Sequence, residues 1–170
     1  MALREIIHYP DARLREPAQP VAEFNDEIRQ LVEDMAETMY AAGGIGLAAN
    51  QIGVLQRVFV IDIAGEDEPS DLKVFINPEI LEANGSQTFT EGCLSFPGAS
   101  EDIKRAETVR IRALDAQGQS FELFAEGLLA IAIQHENDHI NGVLMIDKVG
   151  PIARRKIGRQ VARAREEARP

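Results

Sequence analysis

The stretch LLAIAIQHENDHIN, residues 128–141, decides how this chain is read. Its first half is apolar on every side, which suits a helix buried at the centre of a domain rather than one lying on its surface. Gly142 follows where a helix C-cap is expected. Within the stretch lies Gln134-His135-Glu136-Asn137-Asp138-His139, an H-E-x-x-H pattern. Residues four apart on an α-helix lie about 40° and one turn apart. His135 and His139 therefore share a face and can reach one metal ion. Glu136, about 100° around from His135, can reach the open side of such an ion without ligating it. That is where a general base belongs. The plain alternative is a pair of ordinary helix histidines. However, the chain has only three His, and two of them flank a Glu next to wholly apolar turns, where unpaired imidazoles are costly.

A catalytic ion takes three protein ligands and keeps one position open. The metzincin extension fails: Gly142 is present, but Met145 stands where a third His is needed. A downstream Glu ligand is also missing, since Asp147 is the only acid in residues 141–161. The remaining candidate is Cys93, in Glu91-Gly92-Cys93-Leu94-Ser95. As the single cysteine it cannot form an internal disulfide. A thiol beside a divalent ion is deprotonated. His8 is far off in an expected loop and no fourth ligand is evident, so the set reads as catalytic rather than structural.

Outward from this helix the pattern is mixed. Residues 26–42 form an expected helix, with Ile28, Leu31, Val32, Met35 and Met39 at helical spacing, Asn25 as N-cap and Gly43-Gly44 as the stop. Residues 57–63 and 73–77 are expected strands, the second closed by Pro78. Asn84-Gly85 is expected to turn a hairpin. Residues 108–114 and 120–125 are expected to pair as a second hairpin, and residues 152–168 to form a last helix. Strands joined by hairpins rather than crossovers predict an α+β fold, with mostly antiparallel sheets around a central metal-binding helix and a C-terminal helix.

The 170 residues suit one domain, of which residues 151–170 are a basic C-terminal segment. No apolar run is long enough to span a bilayer, and the N-terminus lacks a secretory signal pattern, so a cytoplasmic location is expected. The net charge of −10 disfavours general nucleic-acid binding. The charge is uneven: residues 151–170 hold seven basic against two acidic residues, a net +5, which leaves −15 on the rest.

Three segments, Gly44-Ile45-Gly46-Leu47-Ala48-Ala49-Asn50-Gln51, Glu91-Gly92-Cys93-Leu94-Ser95 and Gln134-His135-Glu136-Asn137-Asp138-His139, together resemble the bacterial peptide deformylases. The resemblance runs from about Tyr9 to Lys148. It implies hydrolysis of the N-formyl group from the formyl-methionine of new proteins, with release of formate. It also implies a metal helix packed between sheets, and one divalent ion on Cys93, His135 and His139. That ion is usually Fe2+, with Zn2+, Ni2+ or Co2+ able to substitute. On this pattern a hydroxide on the ion attacks the formyl carbon, and Glu136 acts as general base and acid. Gln51 and the Leu94 N–H are implied as oxyanion donors; from residues alone, the better reading of Gln51 is a polar loop residue solvating the turn.

The glycine loop lacks the Lys-Ser/Thr of a P-loop and follows a helix, not a strand. It reads better as a bare edge against which an extended peptide pairs. Ile45, Gly46, Phe89, Glu91, Gly92, Leu128, Ile131 and Ala132 are the expected substrate contacts; plain core packing is the competing reading for the apolar ones. Asp138, with Arg105 as partner, is expected to orient a ligand histidine, against the alternative of a surface ion pair. Some family members carry an arginine shortly after the Pro97 position that anchors substrate. Here no basic residue precedes Lys104. The resemblance further implies formyl-methionyl nascent chains as partners and a ribosome contact through the basic helix, no membrane being involved. Removing residues 151–170 is expected to spare turnover of a free formyl-peptide. Two other readings, an H-E-x-x-H peptidase and a non-catalytic metal-stabilised module, are told apart by the third ligand and by the effect of Glu136→Ala.

Overall fold

The computed structural model describes residues 2–169. Pro170, the last residue of the basic segment, and Met1 lie outside it. The described residues form three α-helices: α1 (Asp26–Ala41), α2 (Gly127–Ile140) and α3 (Pro151–Glu167). They also form seven strands: β1 (Gly46–Ala48), β2 (Val58–Ile61), β3 (Lys73–Asn84), β4 (Gln87–Gly92), β5 (Ser100–Arg105), β6 (Thr108–Leu114) and β7 (Ser120–Glu126). A five-stranded sheet runs β1-β2-β3-β6-β7, and β4 pairs with β5 apart from it. All these pairings are antiparallel, and the fold is α+β.

The period of two in β2 sorts the core. Val58 and Val60, with Leu47 of β1, meet Leu31, Val32, Met35 and Met39 of α1. Phe59 and Ile61, with Ala48, face the other way, onto Ala130, Ala132, Ile133 and Ile140 of α2. A strand buried on both faces reads as a continuous apolar run, which explains VFVI. The sheet is thus covered by α1 on one side and α2 on the other. Beyond α2 lies the β4-β5 ribbon. Asn25 caps α1 by accepting from the Ile28 N–H at 3.2 Å. Gly142 follows α2 with φ 76°. A Cβ there would lie 2.5 Å from the Arg15 carbonyl oxygen, so both the conformation and the close approach require glycine.

Three expectations need correction. β3 does not end at Pro78 but runs to Asn84, with its register shifting between Ile76 and Glu79. Asn77 sits there at φ 50°, and its amide bonds both the N–H and the carbonyl of Val21. Pro78 is tolerated because an irregularity in the ladder leaves no pairing N–H to supply. Asn84-Gly85 is a turn, with Gly85 at φ 73°, but not of a hairpin: β3 pairs with β6 and β4 with β5, so the turn carries the chain between sheets. Third, α3 is not a detachable tail. Its Ile157 and Val161 are buried against Leu14, Phe96, Ile103 and Met145, so removing it would uncover part of the core. The short strand β1 and the polar strand β5 carried no sequence signal.

Candidate active site

Cys93 follows the end of β4, while His135 and His139 project from one face of α2. Cys93 Sγ lies 3.3 Å from His139 Nε2. The ligand atoms of Cys93, His135 and His139 all lie within 4.8 Å of one another. A tetrahedral ion with sulfur at about 2.3 Å and nitrogen at about 2.1 Å sets those two ligands about 3.5 Å apart. The donor set therefore fits one ion. Among the described residues no fourth acid, His or Cys joins the group, which leaves a coordination position for water or substrate.

His135 Nδ1 is 2.9 Å from Glu91 Oε1, so Nε2 is the nitrogen it turns to the group. Glu91 also takes two hydrogen bonds from Arg105, at 2.6 Å from Nε and 3.0 Å from NH2. Arg105 NH1 donates to Asp138 at 2.9 Å. Two expected roles are thereby revised. The carboxylate that orients the histidine is Glu91, not Asp138, which acts one step further out through Arg105. And Glu91, expected at the substrate, has its oxygens committed to His135 and Arg105. The pairing of Asp138 with Arg105 is as expected. Burial opposes the Glu91 anion, but His135 and Arg105 outweigh it and hold its carboxyl below the usual range. Burial likewise opposes charge on His135, yet the Cys93 sulfur and Glu91 raise it well above the usual value. Burial and the neighbouring His135 push His139 well down.

Glu136 is buried, and Oε1 has no hydrogen-bond partner among the described residues. Burial, before any other influence, pushes its carboxyl up to about 7. Its other oxygen packs on Gly46, where a Cβ would lie only 2.5 Å away. Gly44 is covered in the same way by the Leu94 side chain, 2.6 Å from the Cβ position. The glycines of the Gly44-Ile45-Gly46 loop thus admit two side chains of the site at van der Waals distance. Gln51 is buried with Oε1 accepting from the Ala48 N–H at 2.9 Å. Its Nε2 lies 3.0 Å from Ser95 Oγ and 3.6 Å from Cys93 Sγ.

These residues lie along a cleft of about 450 Å³. Ile45, Gly46, Gln51, Phe89, Glu91, Gly92, Leu94, Leu128, Ile131 and Ala132 all line it. So do Phe96, Pro97 and Ala99, which sequence reasoning missed; the apolar run after Ser95 was the available signal. Ile45 and Phe89 are 42% and 44% exposed, forming an apolar rim at the mouth. β1 borders the cleft as an edge strand, open to a further strand.

A model of the polypeptide deformylase family matches residues 3–155. The chain belongs to the polypeptide deformylase family. Members of this family are metal-dependent hydrolases that remove N-formyl groups from nascent peptides. A peptide deformylase of Alkalilimnicola ehrlichii is 52% identical over 169 residues, covering 99% of this chain and 94% of that one. The crystal structure of a peptide deformylase from Legionella pneumophila superposes with a TM-score of 0.94 at 45% identity, covering 99% of this chain and 100% of that one. A Synechococcus elongatus peptide deformylase in complex with actinonin matches with a TM-score of 0.87 at 41% identity, over 98% of this chain and 92% of that one. Among the described residues, no helix is long and apolar enough to cross a membrane.

Proposed function

We propose that this chain hydrolyses the formamide of formyl-methionyl nascent chains in the cytoplasm, with Glu136 as its base and Gln51 and Leu94 as oxyanion donors. One observation carries this reading. A buried carboxylate with an unpartnered oxygen stands beside a Cys-His-His group at the floor of an apolar cleft. Cys93, His135 and His139 would hold the ion, Fe2+ in our reading, and when bound it would supply Lewis acidity. Glu136 takes the proton of the attacking water at its carboxylate and returns it to the departing amine nitrogen. Gln51 Nε2 and the Leu94 N–H donate to the oxygen on which negative charge develops. The methionine side chain fills the space between Leu128, Ile131, Ala132 and Phe89. The peptide that follows pairs with the free edge at Ile45 and Gly46. Glu91, with Arg105 and Asp138 behind it, fixes the His135 ring.

The same proposal gives α3 a surface role. Arg154, Arg155, Lys156, Arg159, Arg163 and Arg165 are exposed while Ile157 and Val161 are buried, so its outward face is basic on an otherwise acidic protein. That face suits ribosomal RNA, through contacts that weaken as salt rises.

The test is release of formate from formyl-Met-Ala-Ser. The reading requires formate in step with free amine, its loss on chelation, and its return on adding a divalent ion. An ion-free protein of equal activity contradicts it.

A further inference from the structure

We propose that Ser95 is a positioning residue for the reaction: its hydroxyl fixes the side-chain amide of Gln51 so that one N–H points into the cleft. This rests on the reading of the chain as a deformylase and deepens it. Ser95 is wholly buried and does not line the cleft, so it cannot touch substrate.

The amide orientation follows from hydrogen-bond bookkeeping. The Ala48 N–H is a donor and needs an acceptor, so the atom 2.9 Å from it must be Gln51 Oε1. Rotating the amide by half a turn would set NH2 against N–H and cost a buried unsatisfied donor. Nε2 is thus forced to the opposite side, where it carries two hydrogens. One goes to Ser95 Oγ at 3.0 Å. The other is donated across a longer 3.6 Å contact to Cys93 Sγ, on the side where the cleft and the ligand group lie. Ser95 therefore takes the hydrogen pointing away from the chemistry. Without that acceptor the terminal torsion of Gln51, which is broad and only loosely two-fold, is held by the Ala48 N–H and the long 3.6 Å contact to Cys93 Sγ alone.

The backbone supports the same assignment. Residues 7–9 strap both partners down. The Ile7 N–H donates to the Gln51 carbonyl at 2.7 Å, and the Tyr9 N–H donates to the Ser95 carbonyl at 2.8 Å. Tyr9 then stacks on Phe96 with ring centroids 4.8 Å apart. One segment thereby holds the turn carrying Gln51 at a set distance from the turn carrying Cys93 and Ser95. Their hydroxyl–amide bond completes that alignment at the level of side chains.

The experiment is a double-mutant cycle of Ser95→Ala and Gln51→Ala on the metal-loaded full chain, read by kcat and KM for formyl-Met-Ala-Ser, with metal content and melting temperature alongside. Removing an oxyanion donor outright costs about 10²–10³-fold in kcat. Freeing one to wander should cost less, about ten-fold. The proposal expects Ser95→Ala to lower kcat about ten-fold with KM within two-fold and metal content unchanged. It also expects Ser95→Ala to have no further effect once Gln51 is already alanine. Three results overturn it: an unchanged kcat, a full additional loss in the Gln51→Ala background, or a loss that follows metal content or melting temperature. Absence of formate from the unaltered chain overturns this proposal and the functional reading together. Normal turnover by the unaltered chain with any of those three results overturns the Ser95 assignment alone.

Discussion

Replacing Gly46 by alanine should damage catalysis while leaving the fold and the metal intact. Gly46 is outside the left-handed region, so its backbone accepts a Cβ, and Gly→Ala at a compatible position stabilises by about 0.4–1 kcal/mol. The cost falls on Glu136. The added Cβ would lie 2.5 Å from Oε2, 3.0 Å from Cδ and 3.1 Å from Cγ. Favourable contact begins near 3.5 Å, so the carboxylate must retreat by about 1 Å. Glu136 is only 5% exposed, so it has little room to yield, and its displacement would misplace the base of the proposed reaction. A misplacement of about 1 Å costs on the order of 10²-fold in rate. Glu136 is not one of the three ligands, so one ion per chain should remain bound. Formate release measured with metal analysis and thermal melting decides the matter. The expected result is kcat lowered about 10²-fold, full metal content and an unchanged or slightly higher melting temperature. A kcat within threefold of the unaltered chain would refute the claim that this contact sets the base.

Other outcomes follow from the same geometry. Glu136→Ala should lower kcat by about 10²–10⁴-fold with the ion still bound, checked by single-turnover kinetics and metal analysis. Glu91→Ala leaves His135 Nδ1 without its acceptor and the buried Arg105 with Asp138 alone. Metal affinity should fall about 10–100-fold and stability by about 3–5 kcal/mol, read by chelator competition and urea unfolding. Stability should also decline at both ends of the pH scale through Tyr40 and Asp62. Burial first, and then the 2.6 Å bond to Asp62, pushes the Tyr40 hydroxyl from 10.0 to about 12. Its contribution is complete below about pH 10 and disappears as pH rises through about 12. Burial opposes the Asp62 anion, but Tyr40 and the Ala64 and Asp71 N–H groups outweigh it and hold its carboxyl below 3.8. That contribution is present above 3.8 and is lost as pH falls through the lower folded value. Urea midpoints for Tyr40→Phe should therefore vary less with pH at both extremes, and an unaltered profile would rule the pair out. Charge reversal at Arg154, Arg155 and Arg159 should reduce ribosome co-sedimentation at low salt and spare free-peptide turnover; these exposed side chains avoid the core that deletion of α3 would open.

The parts of this fold that could be read from sequence are those governed by local period. The apolar turns of α2, the spaced core residues of α1 and the TVRIRAL/SFELFA hairpin each advertise their partner face over a few residues. What could not be read depends on contacts across the chain. Pro78 reads as a strand end because the irregularity that accommodates it is held by Asn77 and Val21, 56 positions apart. Asn84-Gly85 reads as a hairpin because a turn signal carries no information about which sheet receives the next strand. β1 is three residues, GLA, with no pattern to detect. At the site, the grouping of Cys93, His135 and His139 could be anticipated because H-E-x-x-H is a local motif and Cys93 is the lone thiol. Glu91 lines the cleft as expected of a residue near substrate, but its carboxylate's bond to His135 was not foreseen, because it spans 44 positions and nothing near Glu91 marks an orienting carboxylate.

The most direct test is an anomalous-scattering map of metal-loaded crystals, recorded at the absorption edge of the bound ion. The account predicts a single peak bonded to Cys93 Sγ, His135 Nε2 and His139 Nε2, with the remaining position held by solvent and the nearest Glu136 oxygen beyond bonding distance. A peak lacking the sulfur, or one closed off by a fourth side chain, would contradict it.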